Sequence, residues 1–203
     1  MAITTYAQLK TAVTSWLDVS TATLSTTIDD LVTIAEARIF REARTRDTEA
    51  VLSGTIASGV VAVPSDYIAL KFAYLVTSPS QILERRPAEW IYSQYPIRSS
   101  AGRPKYIGRE AGNFIFGPYA DSGYTLAGVY YKKLAALSTT AHALFTNNPD
   151  LYLFGCLAES EILIGRDERL PIWRTKYAEI LAQVNGVARE EDSSGGTLRM
   201  RVM

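Results

Sequence analysis

Asn148-Pro149-Asp150-Leu151-Tyr152-Leu153-Phe154-Gly155-Cys156-Leu157-Ala158-Glu159 opens residues 148–186, the stretch whose periodicity decides the fold. Asn148 is an N-cap type, and Pro149 suits a first helical position, where no N–H is required. Leu151, Phe154, Leu157, Ala158 and Ile162 then recur at helical spacing, and Gly165 is placed to end that helix in a left-handed conformation. Asp167 is the next capping residue, with Pro171 near the first turn of a second helix. Leu170, Trp173, Tyr177, Ile180, Leu181 and Val184 form one stripe of that helix, which Asn185-Gly186 is expected to close. Two consecutive one-faced helices must bury their apolar sides against further helices.

The N-terminal region supplies candidates. Thr5-x-x-Gln8 matches a capping box, and Tyr6, Leu9, Val13, Trp16 and Leu17 predict a helix of about three turns. After a polar turn, a second helix is predicted from Thr26 or Thr27, with Ile28, Leu31, Val32, Ala35, Ile39 and Ala43 on one face. Asp29 and Asp30 lie in its first turn and Arg38, Arg41 and Arg44 towards its end, matching the helix dipole. These three arginines read either as a solvated, dipole-matched face or as a face for a neighbour's carboxylates or a phosphate backbone.

Between residues 49 and 134 the character changes to glycine, proline, tyrosine and short β-type runs. Residues 51–56 and 60–63 flank Ala57-Ser58-Gly59, a hairpin-like turn. Residues 68–76 and 81–85 read as strands joined at Ser78-Pro79-Ser80, and residues 87–92 as a short helix beginning with Pro87. Strands are also expected around residues 105–108 and 114–116. A last one spans 124–134, with Leu126 and Tyr130 on one face and Val129 and Tyr131 on the other. The fold class expected is α+β: a helical bundle of the N- and C-terminal helices (residues 1–47 and 145–188), an inserted antiparallel β lobe (48–144) and an extended C-terminal tail (189–203). In the tail, Leu198, Met200 and Val202 alternate with Arg199 and Arg201 beyond a flexible Gly195-Gly196. Such alternation suits a segment that orders on a partner; the alternative is a frayed terminus.

Composition bounds the function. Lys+Arg and Asp+Glu balance at 21 each, which argues against tight DNA binding through phosphate neutralisation. Cys156 is the single cysteine and His142 the single histidine, so an intrachain disulfide and any metal site needing two histidines are excluded. Cys156 reads as a buried small hydrophobe. No apolar run approaches the ~18 residues of a membrane span, and Met1-Ala2-Ile3-Thr4-Thr5 has no signal-peptide character, so the chain is expected to be made and used in the cytoplasm, or in something assembled there. No phosphate-binding glycine loop is present, and His142 lies in a small polar loop without a nucleophile elbow. Glu159 and Glu161 point apart on a helix. Twelve tyrosines suit a β core and protein contacts better than base stacking, although Tyr130-Tyr131-Lys132-Lys133 interleaves aromatic and basic residues. No catalytic, cofactor-binding or metal-binding residue is assigned. A cell-wall-degrading hydrolase and a nucleic-acid-binding module are the alternative functions.

Residues 145–159, with Pro149, Leu151, Tyr152, Leu153, Phe154, Gly155, Leu157 and Glu159, resemble a helix motif of phage head–tail connector adaptors, the tail tubular protein A-like adaptor ring of short-tailed phages. Trp173 and Tyr177 resemble the aromatic pair of that family's next helix. Ala35, Glu36, Arg38, Ile39 and Arg41 resemble its early helix, and Val63-Pro64-Ser65-Asp66-Tyr67 its turn. The resemblance implies a structural, non-enzymatic virion protein at the head–tail junction, with no cofactor. It implies a ring of twelve copies beneath the portal protein that extends the DNA channel, lets DNA pass without tight binding, and docks tail and nozzle proteins. It also implies a portal-docking tail, here Leu198, Arg199, Met200, Arg201 and Val202, while Arg38, Arg41 and Arg44 are the intersubunit candidates. No membrane partner is expected.

Overall fold

The computed structural model describes residues 3–18, 27–97, 101–161, 165 and 167–193. Its class is α+β. The chain divides into two compact units: Met1–Thr48 with Leu134–Met203, and Glu49–Lys133.

In the first unit, α1 (Tyr6–Leu17) begins with the expected capping box. Thr5 Oγ1 accepts from the Gln8 N–H at 3.3 Å, and Gln8 Oε1 accepts from the Thr5 N–H at 3.2 Å. Two of the orphan donors at that terminus are thereby satisfied. Helix α2 (Ile28–Glu42) is tied to α1 through Asp29, which accepts from the Tyr6 hydroxyl at 2.6 Å and pairs with Lys10 at 2.9 Å. Helix α5 (Pro149–Glu159) is buried almost all round, as a central helix must be; Leu151, Tyr152, Leu153, Cys156, Leu157 and Ala158 are all interior. It packs against α1, α2 and α6 (Leu170–Ser193). Gly155 allows the approach: a Cβ there would lie 3.3 Å from Ile39 Cδ1 and 3.5 Å from the Tyr177 ring. The helices from both ends of the chain thus share one core, from Leu9, Val13 and Ile39 to Trp173 and Tyr177.

Four features differ from the sequence reading. A short helix, α4 (Ala143–Asn147), precedes α5. It was hidden because its cap is His142, whose Nδ1 accepts from the Phe145 N–H at 3.3 Å in place of the usual Ser, Asp or Asn. Asn148 occupies the α5 cap position but makes no side-chain cap; its Nδ2 donates to the Leu144 carbonyl at 3.2 Å instead. Helix α5 stops at Glu159, before Gly165. That glycine has the expected left-handed φ of +69° and donates to the Glu161 carbonyl at 2.9 Å, while Ile162 lies outside the described residues. Finally, α6 does not close at Asn185-Gly186 but runs to Ser193. Asn185 caps α2 rather than its own helix: its Oδ1 accepts from the Arg44 N–H at 2.8 Å and its Nδ2 donates to the Glu42 carbonyl at 3.2 Å. Asp167 does serve the start of α6, accepting from the Arg169 N–H at 2.8 Å.

The second unit carries strands β1 (Glu49–Thr55), β2 (Val60–Ala62), β3 (Tyr67–Leu75), β4 (Gln81–Ile82), β5 (Glu84–Arg85), β6 (Ala101–Gly102), β7 (Tyr106–Glu110), β8 (Asn113–Gly117), β9 (Tyr119–Ala120) and β10 (Thr125–Lys132). Helix α3 (Ala88–Gln94) follows Pro87, which is its cap rather than its first residue. One sheet has the order β1-β10-β3-β4, a second β2-β8-β7-β5, and β6 pairs with β9. Most ladders are antiparallel; β5–β7 and β6–β9 are short parallel additions that the sequence did not announce. The turn at Ser58 (φ +52°) and Gly59 (φ +77°) forms as read, with Ala57 and Val60 exchanging N–H···O bonds of 3.2 and 3.1 Å. Its arms nevertheless part at once, β1 joining β10 and β2 joining β8. Residues 81–85 likewise split into two strands of different sheets, because Leu83 turns inward to a buried position between them. The core of this unit includes Leu52, Leu75, Phe114, Phe116 and Leu126.

Candidate interaction surfaces

His142 bridges two aromatic helices. With Nδ1 accepting from the Phe145 amide, the ring proton sits on Nε2, 3.3 Å from the Tyr152 hydroxyl. Burial lowers the imidazole pKa below its ordinary value, and nearby Asp47 opposes the shift in part. Cys156 is fully buried, and burial pushes its thiol well above the usual range. Glu159 pairs with Arg38 and Glu161 with Arg174, so the two carboxylates face different partners. Among the described residues no three His, Cys, Asp or Glu side chains gather as a metal site would require.

Arg38, Arg41 and Arg44 do not share one face; α2 ends at Glu42, before Arg44. Arg38 reaches Glu159 at 2.6 Å and Glu42 at 3.2 Å, and its guanidinium lies 4.5 Å from the Tyr177 ring centroid. Tyr177 in turn donates to Glu42 at 2.7 Å; burial first and then that carboxylate raise its pKa. Arg38 thereby links α2, α5 and α6 within its own chain. Arg44 donates to the carbonyls of Phe40 (3.2 Å) and Ala43 (2.8 Å), satisfying the end of α2. Arg41 alone of the three is exposed and makes no ion pair among the described residues. Leu198, Arg199, Met200, Arg201 and Val202 lie outside the described residues.

In the β unit, Tyr130 is buried: its hydroxyl donates to Asp66 at 2.8 Å and its ring stacks on Tyr67, 5.8 Å between centroids. The interleaved 130–133 cluster therefore gives one of its aromatics to the core. The outer face of the first sheet was not singled out from the sequence. Val51, Val129 and Phe72 stand side by side across β1, β10 and β3, with Ala127, Tyr74 and Ile82 in the adjacent row. Val51 and Ile82 are each 79% exposed and Phe72 46%, its ring stacked on Tyr74. A monomeric sheet usually turns polar residues outward on its uncovered face. The signal was present in the runs Phe72-Ala73-Tyr74-Leu75-Val76 and Val51-Leu52, apolar on both faces of a strand. Charge divides unevenly as well. Residues 49–133 carry nine Lys/Arg against six Asp/Glu, and the remainder of the chain twelve against fifteen.

In the helical unit Arg38, Glu42, Glu159 and Tyr177 pair with one another within the chain, and in the β unit a sheet turns apolar side chains outward, the mark of a surface made to be packed against. The model of the SU10 adaptor protein family matches residues 4–201, almost the whole chain, and the chain belongs to that family. It is thus a phage adaptor, a structural component of the virion, in agreement with the head–tail adaptor resemblance of its helix and turn motifs. No curated protein matches it.

Proposed function

We propose that the protein is the head–tail adaptor of a short-tailed phage, of the tail tubular protein A-like kind, and that twelve copies form a ring beneath the portal. The ring extends the DNA channel and presents a platform to tail and nozzle proteins. The observation that carries this reading is the apolar row Val51–Val129–Phe72 on the outer sheet face of a chain belonging to an adaptor family. A ring closes through two different surfaces on each subunit. The basic excess of residues 49–133 and the acidic excess of the rest supply unlike surfaces for such a head-to-tail contact. Arg41, exposed at the end of α2, is the intersubunit candidate that this reading retains.

In this reading the body of the ring comes from the helices of 1–47 and 145–188, neighbour contacts from 48–144, and portal attachment from the tail. Leu198, Met200 and Val202 supply apolar anchors there and Arg199 and Arg201 the polar side. Zero formal net charge suits a channel through which DNA slides without being held. Imaging the purified protein mixed with its portal tests the reading: a coaxial ring on the portal is expected, and an undecorated portal at micromolar subunit overturns it. Deleting residues 197–203 should leave both units folded while reducing incorporation into particles; full incorporation of the truncated chain would remove the tail from the account.

A further inference from the structure

The apolar stripe of α6 thins towards its C-terminal half. Leu170, Trp173 and Tyr177 are buried, whereas Ile180 and Val184 are half-exposed and Val187 is 57% exposed. These three side chains form one wall of a groove of about 510 Å³, whose other side is Thr45, Asp47, Asn147 and Asp150. The charge of the groove points to a basic occupant. Asp47 and Asp150 have no ion-pair partner among the described residues: Asp47 accepts from the Asn147 side-chain amide at 3.2 Å, and Asp150 from the Leu151 N–H at 3.0 Å. Arg46 at the rim is neutralised by Glu191, 3.4 Å away.

We propose that this groove is the resting site of the chain's own C-terminal segment, residues 197–203, in the free subunit. Chemistry and length agree. The segment offers apolar Leu198, Met200 and Val202 on one side, for Ile180, Val184 and Val187, and basic Arg199 and Arg201 on the other, for Asp47 and Asp150. Ser193 lies six residues beyond Val187, or about 9 Å along the helix. Leu198 follows Ser193 by five residues, a reach of ~16 Å, so a reversal at Gly195-Gly196 brings it back to Val187. From there, Leu198 to Val202 spans ~13 Å as a strand, against about 10 Å from Val187 to Ile180 along the helix. Stowed in this way, the tail's apolar side chains are covered until a portal offers a better surface.

The proposal concerns the segment that the preceding section assigns to the portal, but it rests on the groove alone. A failure of cross-linking in the free subunit leaves portal attachment untouched, and a failure of particle incorporation leaves the cross-link untouched. The test is a V184C/M200C variant of the full chain, the pair this register sets opposite each other, oxidised by glutathione disulfide at low micromolar concentration; Cys156 is fully buried and does not compete. The expected product is an intrachain disulfide, seen as a compact monomer on a non-reducing gel and assigned by peptide mass. The control pair I172C/M200C should stay reduced. Ile172 is 61% exposed, but lies ~31 Å from Ser193 along α6, beyond the ~23 Å that seven extended residues reach. Adding D47N/D150N, or raising the salt to about 0.5 M with the acid pair intact, should slow the V184C/M200C cross-link by roughly two- to thirtyfold. Dimers linked only between chains, a rate equal to that of the control pair, or a rate indifferent to both charge and salt would each overturn the proposal.

Discussion

Replacing Val51, Phe72 and Ile82 together by threonine puts β-branched side chains at all three positions, on strands that favour them, while removing most of the apolar character of the outer sheet face. Full burial of one such side chain contributes about 1.5–3 kcal/mol. Because Val51 and Ile82 are 79% exposed and Phe72 46%, nearly all of that benefit for the first two, and half for the third, is still to be gained on assembly. If one neighbour covers all three, their burial contributes roughly 3–6 kcal/mol to each subunit contact. Threonine retains a methyl group, so the triple variant should lose about 2–4 kcal/mol per contact, or some thirty- to a thousandfold in association. The subunit itself should stay folded, since only the inner half of Phe72 and its stacking on Tyr74 are lost. Sedimentation velocity and imaging of subunit–portal mixtures at a series of concentrations would read the association. Trp90, the single tryptophan of residues 49–133, would report folding of the β unit in a W16F/W173F background. Undiminished decoration of the portal by a folded triple variant would refute the assignment of this face to a neighbour.

Two further outcomes concern the two units separately. Gly128→Ala would set a Cβ 2.3 Å from the Phe72 carbonyl oxygen and 2.9 Å from Ala73 Cα, both backbone atoms of β3. It should cost the β unit about 1–3 kcal/mol or more, lowering the Trp90-detected denaturation midpoint and not that of Trp16 and Trp173; an unchanged Trp90 midpoint would contradict the geometry. The His142 imidazole, its pKa lowered by burial, favours the fold in its neutral form. The unfolded chain therefore binds the proton first: the contribution is complete above about pH 6.5 and declines as pH falls through the lower folded value. His142→Asn keeps a capping acceptor without the titration. The stability difference between wild type and this variant, from denaturant midpoints between pH 7.5 and 5, should therefore shift against the wild type on acidification, and a pH-independent difference would remove the histidine from the account.

Much of the helical architecture was legible because its determinants are local. The Thr5–Gln8 capping box, Pro149 at a first turn, the left-handed Gly165 and the stripes of α1 and α2 depend on residues within one or two turns. Boundaries failed where a side chain works at a distance. Asn185 looked like the end of α6 and is the cap of α2, some 140 residues earlier in the chain. His142 caps α4 although its residue type rarely signals a cap. Arg38 looked like a member of an outward basic face, yet Glu159 and Tyr177 draw it into the bundle.

By itself the sequence determined the α+β class, the partnership of the terminal helices and the adaptor resemblance, because helix caps, apolar periodicity and packing motifs are carried by short stretches of chain. Tertiary structure alone decided which strands share a sheet, and therefore that Val51, Val129 and Phe72 meet on one outward face. It also decided that Thr45, Asp47 and Asp150 face Ile180, Val184 and Val187 across a groove. Strand partners and groove walls lie tens to more than a hundred residues apart. Periodicity shows that a face exists, but only long-range pairing shows what it faces.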